Sequence, residues 1–237
     1  PILYTSADSV LQIAVHQDIF GLNRLYELCQ LALEIFSSLR VQRVIARPFL
    51  GDNKDNFYRT KARKDFILPP VSETTCDRII SSGRKCLGIG KIGDIFSNRG
   101  ITSSIFGKSD SLLFEDMLDV IRDSMEGDLI FANFVEFDTL YGHKRDVSGY
   151  AKALEEFDKK LPKLFSILDE EDLLIITADH GNDPTFHGSD HTREQVPVLI
   201  RNRNFNNKNY GLVKFSDIGA TMSDFLGVEP VTGTIIR

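Results

Sequence analysis

Cysteine is scarce in this sequence. The 237 residues include only 3 cysteines, and these are far apart, at Cys29, Cys76 and Cys86. They form no closely spaced pair of the kind that holds structural zinc, and their odd number argues against a disulfide framework. We therefore expect three buried, unpaired thiols and a protein of the reducing cytoplasm.

The sequence also has no excess of positive charge and no long apolar run. Lys and Arg number 28 against 34 Asp and Glu, which gives a formal net charge of -6. Because nucleic-acid-binding surfaces are usually basic, we expect no nucleic-acid partner. No apolar run approaches the roughly 20 residues of a transmembrane helix, and no signal peptide is visible, so we expect no membrane association. The composition, 42% hydrophobic and 26% charged, is otherwise typical of a globular protein.

Beyond residue 68, short apolar runs alternate with stretches of helical periodicity. The apolar runs, each expected to form a strand, lie at residues 86–89, 129–135, 173–177 and 196–200. The helical patterns lie at residues 110–125, 147–168 and 216–226. This alternation predicts an α/β fold, with a mostly parallel sheet covered by helices on both faces.

The first part of the chain is organised differently. Pro69 and Pro70 mark the best domain boundary, so we expect a smaller domain at residues 1–68 and a larger one at residues 69–237. For the smaller domain the sequence predicts a strand at 1–6, a short helix capped by Ser6 or Asp8, a helix at 23–39, a strand at 41–48 and a basic loop at 51–64. Because the chain begins at Pro1 and inside a strand, we also expect it to be part of a longer protein.

The densest group of acids and histidines follows the apolar run 173–177. Asp179 and His180 come directly after this run, and His191 lies further along the same turn-rich segment. A buried strand that ends in Asp-His delivers these side chains to the sheet edge where open α/β sheets place their chemistry. Carboxylate and neutral imidazole together favour manganese, zinc or iron over calcium. The segment predicts a metal-dependent enzyme, although one Asp-His pair on a loop can also be a solvated turn.

A second group follows the apolar run 129–135. Asp138 and His143 lie just beyond this run, and four of the 5 histidines of the chain fall in the two groups. The ends of two neighbouring strands can converge on one crevice. Two metal ions roughly 3.5–4 Å apart would clamp the attacking and leaving oxygens of an in-line displacement. Phosphoryl transfer is therefore the predicted reaction class.

Several positive side chains could meet a phosphate group, namely Arg43, Arg47, Arg59, Arg63 and Lys91. Arginine forks match phosphate oxygens bidentately, but a solvated basic loop explains the same charges equally well. The glycines around Lys91 do not form a P-loop, because no Ser or Thr follows the lysine. They favour a tight strand-to-helix turn, from which Lys91 can point at an anion.

Taken together, six segments resemble the phosphopentomutase family, within the alkaline phosphatase superfamily. They are residues 178–185 (ADHGNDPT), 190–197 (DHTREQVP), 4–10 (YTSADSV), 45–49 (IARPF), 90–96 (GKIGDIF) and 138–146 (DTLYGHKRD). The resemblance runs from the first residues to about Pro197 and beyond. It implies that residues 69–237 are the C-terminal part of an alkaline phosphatase-like core, and that residues 1–68 are part of a smaller α/β cap domain.

The resemblance also implies an activity. Members of this family are isomerases that interconvert ribose 1-phosphate and ribose 5-phosphate, and the deoxyribose pair, with two manganese ions and a phosphorylated threonine on the enzyme. The implied ligands are Asp138, His143 and His191 for one ion, and Asp179 and His180 for the other. The implied contacts to the pentose phosphate are Ser6, Asp8 and Val10 for the sugar, and Arg47, Arg59 and Lys91 for the distal phosphate.

The nucleophilic threonine and one further metal-binding aspartate of the family would precede Pro1. Of the threonines near the predicted ligands, Thr177, Thr185 and Thr192, none fits the family pattern. The resemblance therefore implies that the isolated chain keeps most metal ligands but is inactive. Its expected partner is the missing N-terminal portion of the same protein.

Three alternatives remain open. A related phosphatase, sulfatase or cofactor-independent phosphoglycerate mutase would share the metal ligands but carry a different cap. A non-catalytic protein that binds a metal or a sugar phosphate would account for the missing catalytic residues. An α/β domain whose Asp and His side chains only satisfy loop hydrogen bonds would bind no metal.

Overall fold

A computed structural model describes residues 1–5, 10–39, 41–205 and 208–236. The chain divides into two compact units, an N-terminal unit, Pro1–Val71, and a C-terminal unit, Ser72–Arg237. In the described part of the chain, no helix combines the length and apolar character needed to cross a membrane. The assignment of the two units to part of a cap and part of a core stays a prediction.

The N-terminal unit is built on a five-stranded mixed sheet. Its strands are β1 (Ile2–Thr5), β2 (Val10–His16), β3 (Arg43–Leu50), β4 (Tyr58–Arg59) and β5 (Lys64–Ile67). Its helices are α1 (Gln17–Phe20) and α2 (Leu22–Phe36), and a 3-10 turn, Ser37–Leu39, follows α2. Strands β2 and β3 are parallel, whereas β1 pairs antiparallel with β2, and both β4 and β5 pair antiparallel with β3. The parallel pair requires a crossover, which α2 supplies.

The core of this unit lies between α2 and the sheet. On α2, the buried side chains recur at helical spacing and are Leu25, Cys29, Ala32 and Leu33. They pack against buried residues of β2 and β3, namely Leu11, Ile13, Val15, Val44 and Ala46. One apolar face of the helix therefore covers one face of the sheet, which is how a single amphipathic helix stabilises a small domain.

Two predictions for this unit were wrong. A strand, β2, occupies Val10–His16, where we expected a short helix after Ser6 or Asp8. Pairing with β1 on one side and β3 on the other favours the extended form of this Val- and Ile-containing segment. Ser6 and Asp8 themselves lie outside the described residues. The predicted loop at 51–64 contains β4, because its residues pair with the end of β3.

The C-terminal unit contains two further sheets. Three parallel strands lie in the order β7–β6–β8, where β6 is Cys86–Gly90, β7 is Ser103–Ile105 and β8 is Leu129–Asn133. The other two strands, β9 (Leu174–Thr177) and β10 (Val198–Arg201), form an antiparallel pair. The helices are α3 (Thr75–Ser81), α4 (Ile92–Ile95), α5 (Asp110–Asp123), α6 (Val147–Asp158), α7 (Leu161–Phe165) and α8 (Phe215–Phe225). The predicted α/β class, with a parallel sheet and helices, is confirmed.

Helix α5 connects β7 and β8 in the chain and carries most of the core of this unit. Its buried residues Leu113, Phe114, Met117 and Leu118 pack with Ile89 of β6 and Leu164 of α7. The sharp turn that follows β6 depends on Gly90, which has a φ of 75°. A Cβ atom at Gly90 would lie 2.3 Å from the Asn133 carbonyl oxygen, so only glycine fits at this turn. The predicted strand-to-helix turn is therefore present, and Lys91 is exposed at its end.

The structure also differs from the sequence-based prediction at Pro162 and in several short elements. The predicted helix at 147–168 is broken into α6 and α7, because Pro162 cannot donate a backbone hydrogen bond and occupies the first turn of α7. The short elements α1, α3, β5 and β7 were not predicted, since each is too short to show a period. The expected burial of Cys29, Cys76 and Cys86 as free thiols is confirmed.

Candidate metal centre

The first ligand-bearing segment follows β8 and belongs to the C-terminal unit. After β8 ends at Asn133, the carboxylate of Asp110 accepts hydrogen bonds from the backbone N–H groups of Val135 and Glu136, at 3.0 and 2.8 Å. A π-helical turn, Phe137–Gly142, begins at once and carries Asp138. Burial raises the pKa of Asp110, and these two hydrogen bonds oppose the shift. Asp110, at the N-terminus of α5, thus fixes the position of the two residues that precede the π-helical turn.

The second segment follows β9 and forms a closed loop. An isolated antiparallel bridge joins Gly181 to Thr192, with the Thr192 N–H donating to the Gly181 oxygen over 3.0 Å. The Thr192 hydroxyl also accepts a hydrogen bond from the Asp183 N–H, at 2.6 Å. A Cβ atom at Gly181 would lie 2.8 Å from the Thr192 carbonyl oxygen, so the approach needs glycine. This closure brings His180 and His191, eleven residues apart, into a stack with ring centroids 3.7 Å apart.

The two segments meet around the carboxylate of Asp138. Its Oδ1 lies 3.3 Å from His191 Nε2, and its Oδ2 lies 3.1 Å from His143 Nε2. Asp138, His180 and His191 each offer one ligand atom, and these three atoms all lie within 4.8 Å of one another. Strand ends that are separated by about 40 residues of sequence therefore contribute to one cluster of carboxylate and imidazole groups.

The histidine orientations fit a metal site. Nδ1 of His143 lies 2.5 Å from the Ser189 carbonyl oxygen, and Nδ1 of His180 lies 3.2 Å from the Gly181 carbonyl oxygen. A carbonyl oxygen can only accept, so in the neutral imidazole that binds a metal these contacts favour the tautomer with the proton on Nδ1, and Nε2, which faces a carboxylate, is then the ligand atom. Metal-binding histidines are usually held by a second hydrogen bond of this kind. The donor set suits Mn²⁺, Zn²⁺ or Fe²⁺.

The negative charge of Asp138 affects the pKa of Tyr150. Burial, and then the negative charge of Asp138, raise the pKa of the Tyr150 hydroxyl. The Tyr150 ring stacks edge-on against Phe137, with centroids 6.0 Å apart, so an aromatic wall adjoins the ligand turn. Such a wall lowers the local dielectric constant and strengthens the attraction between the carboxylate and a cation.

The structure groups the five predicted ligands unevenly. Asp138, His180 and His191 lie together, and His143 contacts Asp138. Asp179 is the most solvent-exposed of the set, with 72% of its side chain exposed and its Oδ2 atom 3.6 Å from His180 Nε2. The division of the five into two separate ion sites is a prediction that this arrangement does not test. His187, which shares the segment, stacks on Phe186 instead.

Hydroxyl groups near the cluster are engaged in structural hydrogen bonds. The Thr177 hydroxyl donates to the Pro197 oxygen over 2.8 Å, and the Thr185 hydroxyl donates to Asp183 Oδ1 over 2.7 Å. The Thr192 hydroxyl accepts from the Asp183 N–H, as described above. Their contacts therefore give these threonines a role in holding the loop.

The predicted substrate contacts lie in both units. In the N-terminal unit, Val10 is buried at the start of β2, Arg59 is exposed on β4, and Arg47 Nε donates to Gln12 Oε1 over 2.9 Å. Burial, followed by the positive charges of Arg63 and Arg59, lowers the pKa of Arg47. These three arginines therefore form a basic group within the N-terminal unit. Lys91 belongs to the C-terminal unit, and Ser6 and Asp8 lie outside the described residues.

Sequence reasoning missed two residues that contact the cluster or its loops. Asn182 is buried and donates to Asp138 Oδ1, and Arg145 donates to Asn182 and to several carbonyl oxygens. Both lie within the resembling segments, but neither offers the carboxylate or imidazole group on which the predicted ligand set was based. Only the folded contacts distinguish them from ordinary polar loop residues.

Comparison with known proteins agrees with a metal-dependent core. The model of the metalloenzyme superfamily matches residues 90–230, which include every residue of the cluster. This chain belongs to the metalloenzyme superfamily. Its similarity to one archaeal structure, the PH0037 protein from Pyrococcus horikoshii, has a TM-score of 0.54 at 15% identity and covers 89% of this chain and 66% of that one. This second likeness concerns the fold alone.

Several curated proteins that resemble the chain are named phosphopentomutase. The chain is 50% identical to the one from Sinorhizobium fredii over 231 residues, which is 97% of this chain and 57% of that protein. It is 49% identical to the one from Chelativorans sp., over 96% of this chain and 56% of the relative. For Buchnera aphidicola the identity is 48%, over 100% of this chain and 59% of the relative. The chain thus spans little more than half the length of these relatives.

Proposed function

We propose that this chain is the metal-binding portion of a phosphopentomutase, an isomerase that interconverts ribose 1-phosphate and ribose 5-phosphate, and the corresponding deoxyribose phosphates. The observation that carries the proposal is the 50% identity to a phosphopentomutase over 97% of the chain. The cluster around Asp138 supports it, because its carboxylate and imidazole donors suit a divalent cation that acts on phosphoryl groups.

We infer two Mn²⁺ ions. Asp138, His143 and His191 would hold one ion, and Asp179 and His180 would hold the other. Divalent cations bound there would polarise the phosphoryl oxygens and lower the pKa of the attacking hydroxyl. The chain would contribute the orientation of the ligands, since the carbonyl oxygens of Ser189 and Gly181 contact Nδ1 of His143 and His180 and so turn each Nε2 atom toward the cluster.

The N-terminal unit is proposed as part of a cap that binds the pentose phosphate. Arg47 and Arg59 repel each other within the unit, and an anion bound between them would relieve that repulsion. They would bind the distal phosphate together with Lys91, while Ser6, Asp8 and Val10 would face the sugar. In the complete protein, this division would let the residues of the cluster hold the cations that polarise one phosphate, while the cap residues hold the rest of the substrate.

The nucleophile is proposed to lie on residues that precede Pro1 in the complete protein. The chain spans 57% of the length of a relative that is 50% identical to it, which leaves room for such a segment. We therefore propose that the isolated 237-residue chain binds Mn²⁺ without turnover, and that its partner is this N-terminal portion. The free, buried cysteines support a reducing, cytoplasmic location.

The proposal is tested by assaying the protein, as its source produces it, for conversion of ribose 1-phosphate into ribose 5-phosphate. We expect EDTA to abolish turnover and Mn²⁺ to restore it. We expect His191→Ala to lower kcat/KM by about 100-fold or more, as removal of a metal ligand usually does. His187→Ala is the matched control, because His187 is exposed on the same loop and stacks on Phe186 rather than on the cluster.

Other outcomes point to the alternatives. Hydrolysis of phosphate or sulfate esters, or phosphoglycerate mutase activity without pentose activity, would place the protein in a related branch of the family. Mn²⁺ binding without any turnover by the complete protein would favour a binding protein. The intact mass of the protein from its source should exceed 26.7 kDa if a segment precedes Pro1. Turnover by the isolated chain would contradict an upstream nucleophile.

A further inference from the structure

Arg145 lies at the centre of the hydrogen bonds that surround the metal centre. Its Nη1 donates to the Gly142 and Asp183 carbonyl oxygens, both at 3.0 Å, and to Asn182 Oδ1 at 2.6 Å. Its Nε donates to the Gly188 oxygen over 2.6 Å, and its Nη2 donates to the Asp190 oxygen over 2.5 Å. All five acceptors are uncharged oxygens, and four of them are main-chain carbonyls. The guanidinium group therefore acts as a cross-link between two loops.

One branch of this network reaches a predicted metal ligand. A guanidinium can only donate, so the Asn182 oxygen must face Arg145, and the Asn182 amide nitrogen must face the other way. That nitrogen donates to Asp138 Oδ1 over 2.6 Å. Asp138 Oδ1 is also the atom that lies 3.3 Å from His191 Nε2. Arg145 thus sets the orientation of a buried amide, and the amide sets the orientation of the carboxylate.

The other branch holds the loop that carries a second ligand. Arg145 binds the carbonyl oxygens of residues 183, 188 and 190, and the last of these directly precedes His191. His143 adds a contact to the intervening residue, through its Nδ1 atom and the Ser189 oxygen. Loops bridged in this way lose conformational freedom before any ligand arrives, so an ion meets a preformed site.

The local backbone is specialised for this arrangement. Arg145 has a φ of 55°, a left-handed conformation that is unfavourable for a residue with a side chain. Its own N–H donates to the Gly142 oxygen over 3.1 Å, which closes the turn. Strain of this kind persists where surrounding contacts over-determine the conformation, and here the five guanidinium hydrogen bonds do so.

We propose that Arg145 is a positioning residue for the metal centre: through Asn182 it orients the Asp138 carboxylate, and through three carbonyl oxygens it holds the loop that presents His191. This inference rests on the proposed metal-binding function of the same cluster. The positive charge of Arg145 and its positioning role have opposite expected effects on cation binding. A positive charge near a cation site weakens cation binding by itself, so removing the charge alone would strengthen binding. Weaker binding after loss of Arg145 would therefore reflect lost positioning.

The test uses Co²⁺ in place of Mn²⁺, because the visible spectrum of Co²⁺ reports its coordination geometry. The protein as its source produces it and its variants Arg145→Met, Arg145→Lys and Asn182→Ala are titrated with Co²⁺. We expect all three variants to raise the Co²⁺ dissociation constant by about 10- to 100-fold and to change the Co²⁺ absorption bands. Arg145→Lys keeps the positive charge but loses the planar guanidinium group, which donates from three nitrogen atoms. The lysine variant should therefore bind Co²⁺ as weakly as Arg145→Met. Hydrogen exchange of residues 183–190 should be faster in both Arg145 variants without metal.

Lys144→Met is the matched control. Lys144 is exposed beside Arg145, and its loss removes the same unit of charge from the same turn. We expect unchanged or slightly tighter Co²⁺ binding, an unchanged spectrum and unchanged exchange.

The outcomes separate this inference from the proposed function. If the unaltered protein binds Co²⁺ and the Arg145 and Asn182 variants bind it with the same affinity and spectrum, the positioning role is wrong, even if their melting temperatures fall. If the unaltered protein binds no Co²⁺, the proposed metal site fails and the inference fails with it. Weaker binding with altered spectra, confined to the Arg145 and Asn182 variants, supports both.

Discussion

The side-chain amide of Asn182 donates a hydrogen bond to the carboxylate of Asp138 over 2.6 Å, although the two residues are 44 positions apart in the sequence. Asn182 is buried, so its polar atoms must find partners within the protein. The backbone makes room for this contact at Gly142, where a Cβ atom would lie 2.4 Å from the Asn182 nitrogen.

Gly142→Ala should destabilise the C-terminal unit. The added methyl group would overlap the Asn182 side chain, and overpacking of this kind costs about 1–3 kcal/mol. The measurement is the free energy of unfolding by urea. Gly219→Ala is the control, because its Cβ would meet only Thr75 Oγ1 at 3.6 Å, in the middle of α8. There alanine should stabilise the protein by up to about 1 kcal/mol. Equal stability of Gly142→Ala and the unaltered chain would contradict the packing at Asn182.

Phe114→Ala should be among the most destabilising single substitutions. Phe114 is 1% exposed, and its ring contacts those of Phe134 and Phe157, with centroids 6.1 and 5.8 Å away. Truncating a buried phenylalanine costs about 3–5 kcal/mol through lost transfer energy and the cavity left behind. Phe106→Ala, at a side chain that is 61% exposed, should change stability by roughly 0.5 kcal/mol or less. Similar urea midpoints for the two variants would count against the assigned core.

The stability contributed by Asp77 should depend on pH. Burial alone raises its pKa, but hydrogen bonds from Thr74 and Arg99 outweigh burial and hold the pKa of Asp77 below its usual range. A carboxyl with a lowered folded-state pKa stabilises the fold above its unfolded pKa, about 3.9, and this stability is lost as the pH falls through the folded pKa. Asp77→Asn should therefore destabilise the protein by about 1 kcal/mol at pH 7, the usual size of a capping interaction.

The two stability curves should converge below about pH 4, once Asp77 in the unaltered chain takes up its proton. Chemical denaturation at a series of pH values provides the comparison. Glu126→Gln, which removes an exposed carboxylate from the same unit, should show no such convergence. A constant difference between Asp77→Asn and the unaltered chain at every pH would show that the charge of Asp77 is unimportant.

The three thiols should be slow to react in the native protein. All three are buried, and burial raises the pKa of the Cys29 thiol to about 11. Because the thiolate is the reactive form, very little of Cys29 is available near pH 8 while the thiol stays buried. A disulfide reagent such as Ellman's reagent should label no cysteine rapidly in buffer and all 3 in urea. Rapid labelling of one thiol under native conditions would contradict its burial.

Much of the larger unit follows directly from local sequence patterns. The periodic stretch that became α5 has a serine, Ser109, at its N-cap, and the predicted helix at 110–125 differs from Asp110–Asp123 only at its last residues. The apolar run that became β9 and the Asp-His pair after it likewise placed two candidate ligands at a strand end. These features are local, because hydrogen bonds and apolar periods within about a dozen residues determine them.

Other elements depended on distant partners. The segment Val10–His16 is a strand because β1 and β3 pair with its two edges, and Tyr58–Arg59 is a strand because the end of β3 lies beside it. A short segment gains these hydrogen bonds only when the partner strand is already in place. Neither assignment could be made from the segment alone.

The sequence by itself determined the composition of the candidate metal centre, since the acids and histidines that follow two apolar runs are recognisable as possible ligands from their residue types. Tertiary structure alone decided how they are held. The stack of His180 on His191, and the path from Arg145 through Asn182 to Asp138, join residues that are 11 to 44 positions apart. Hydrogen bonds of 2.5 to 3.0 Å require both loops to be folded against each other. No local pattern in either loop specifies how the two loops are placed against each other.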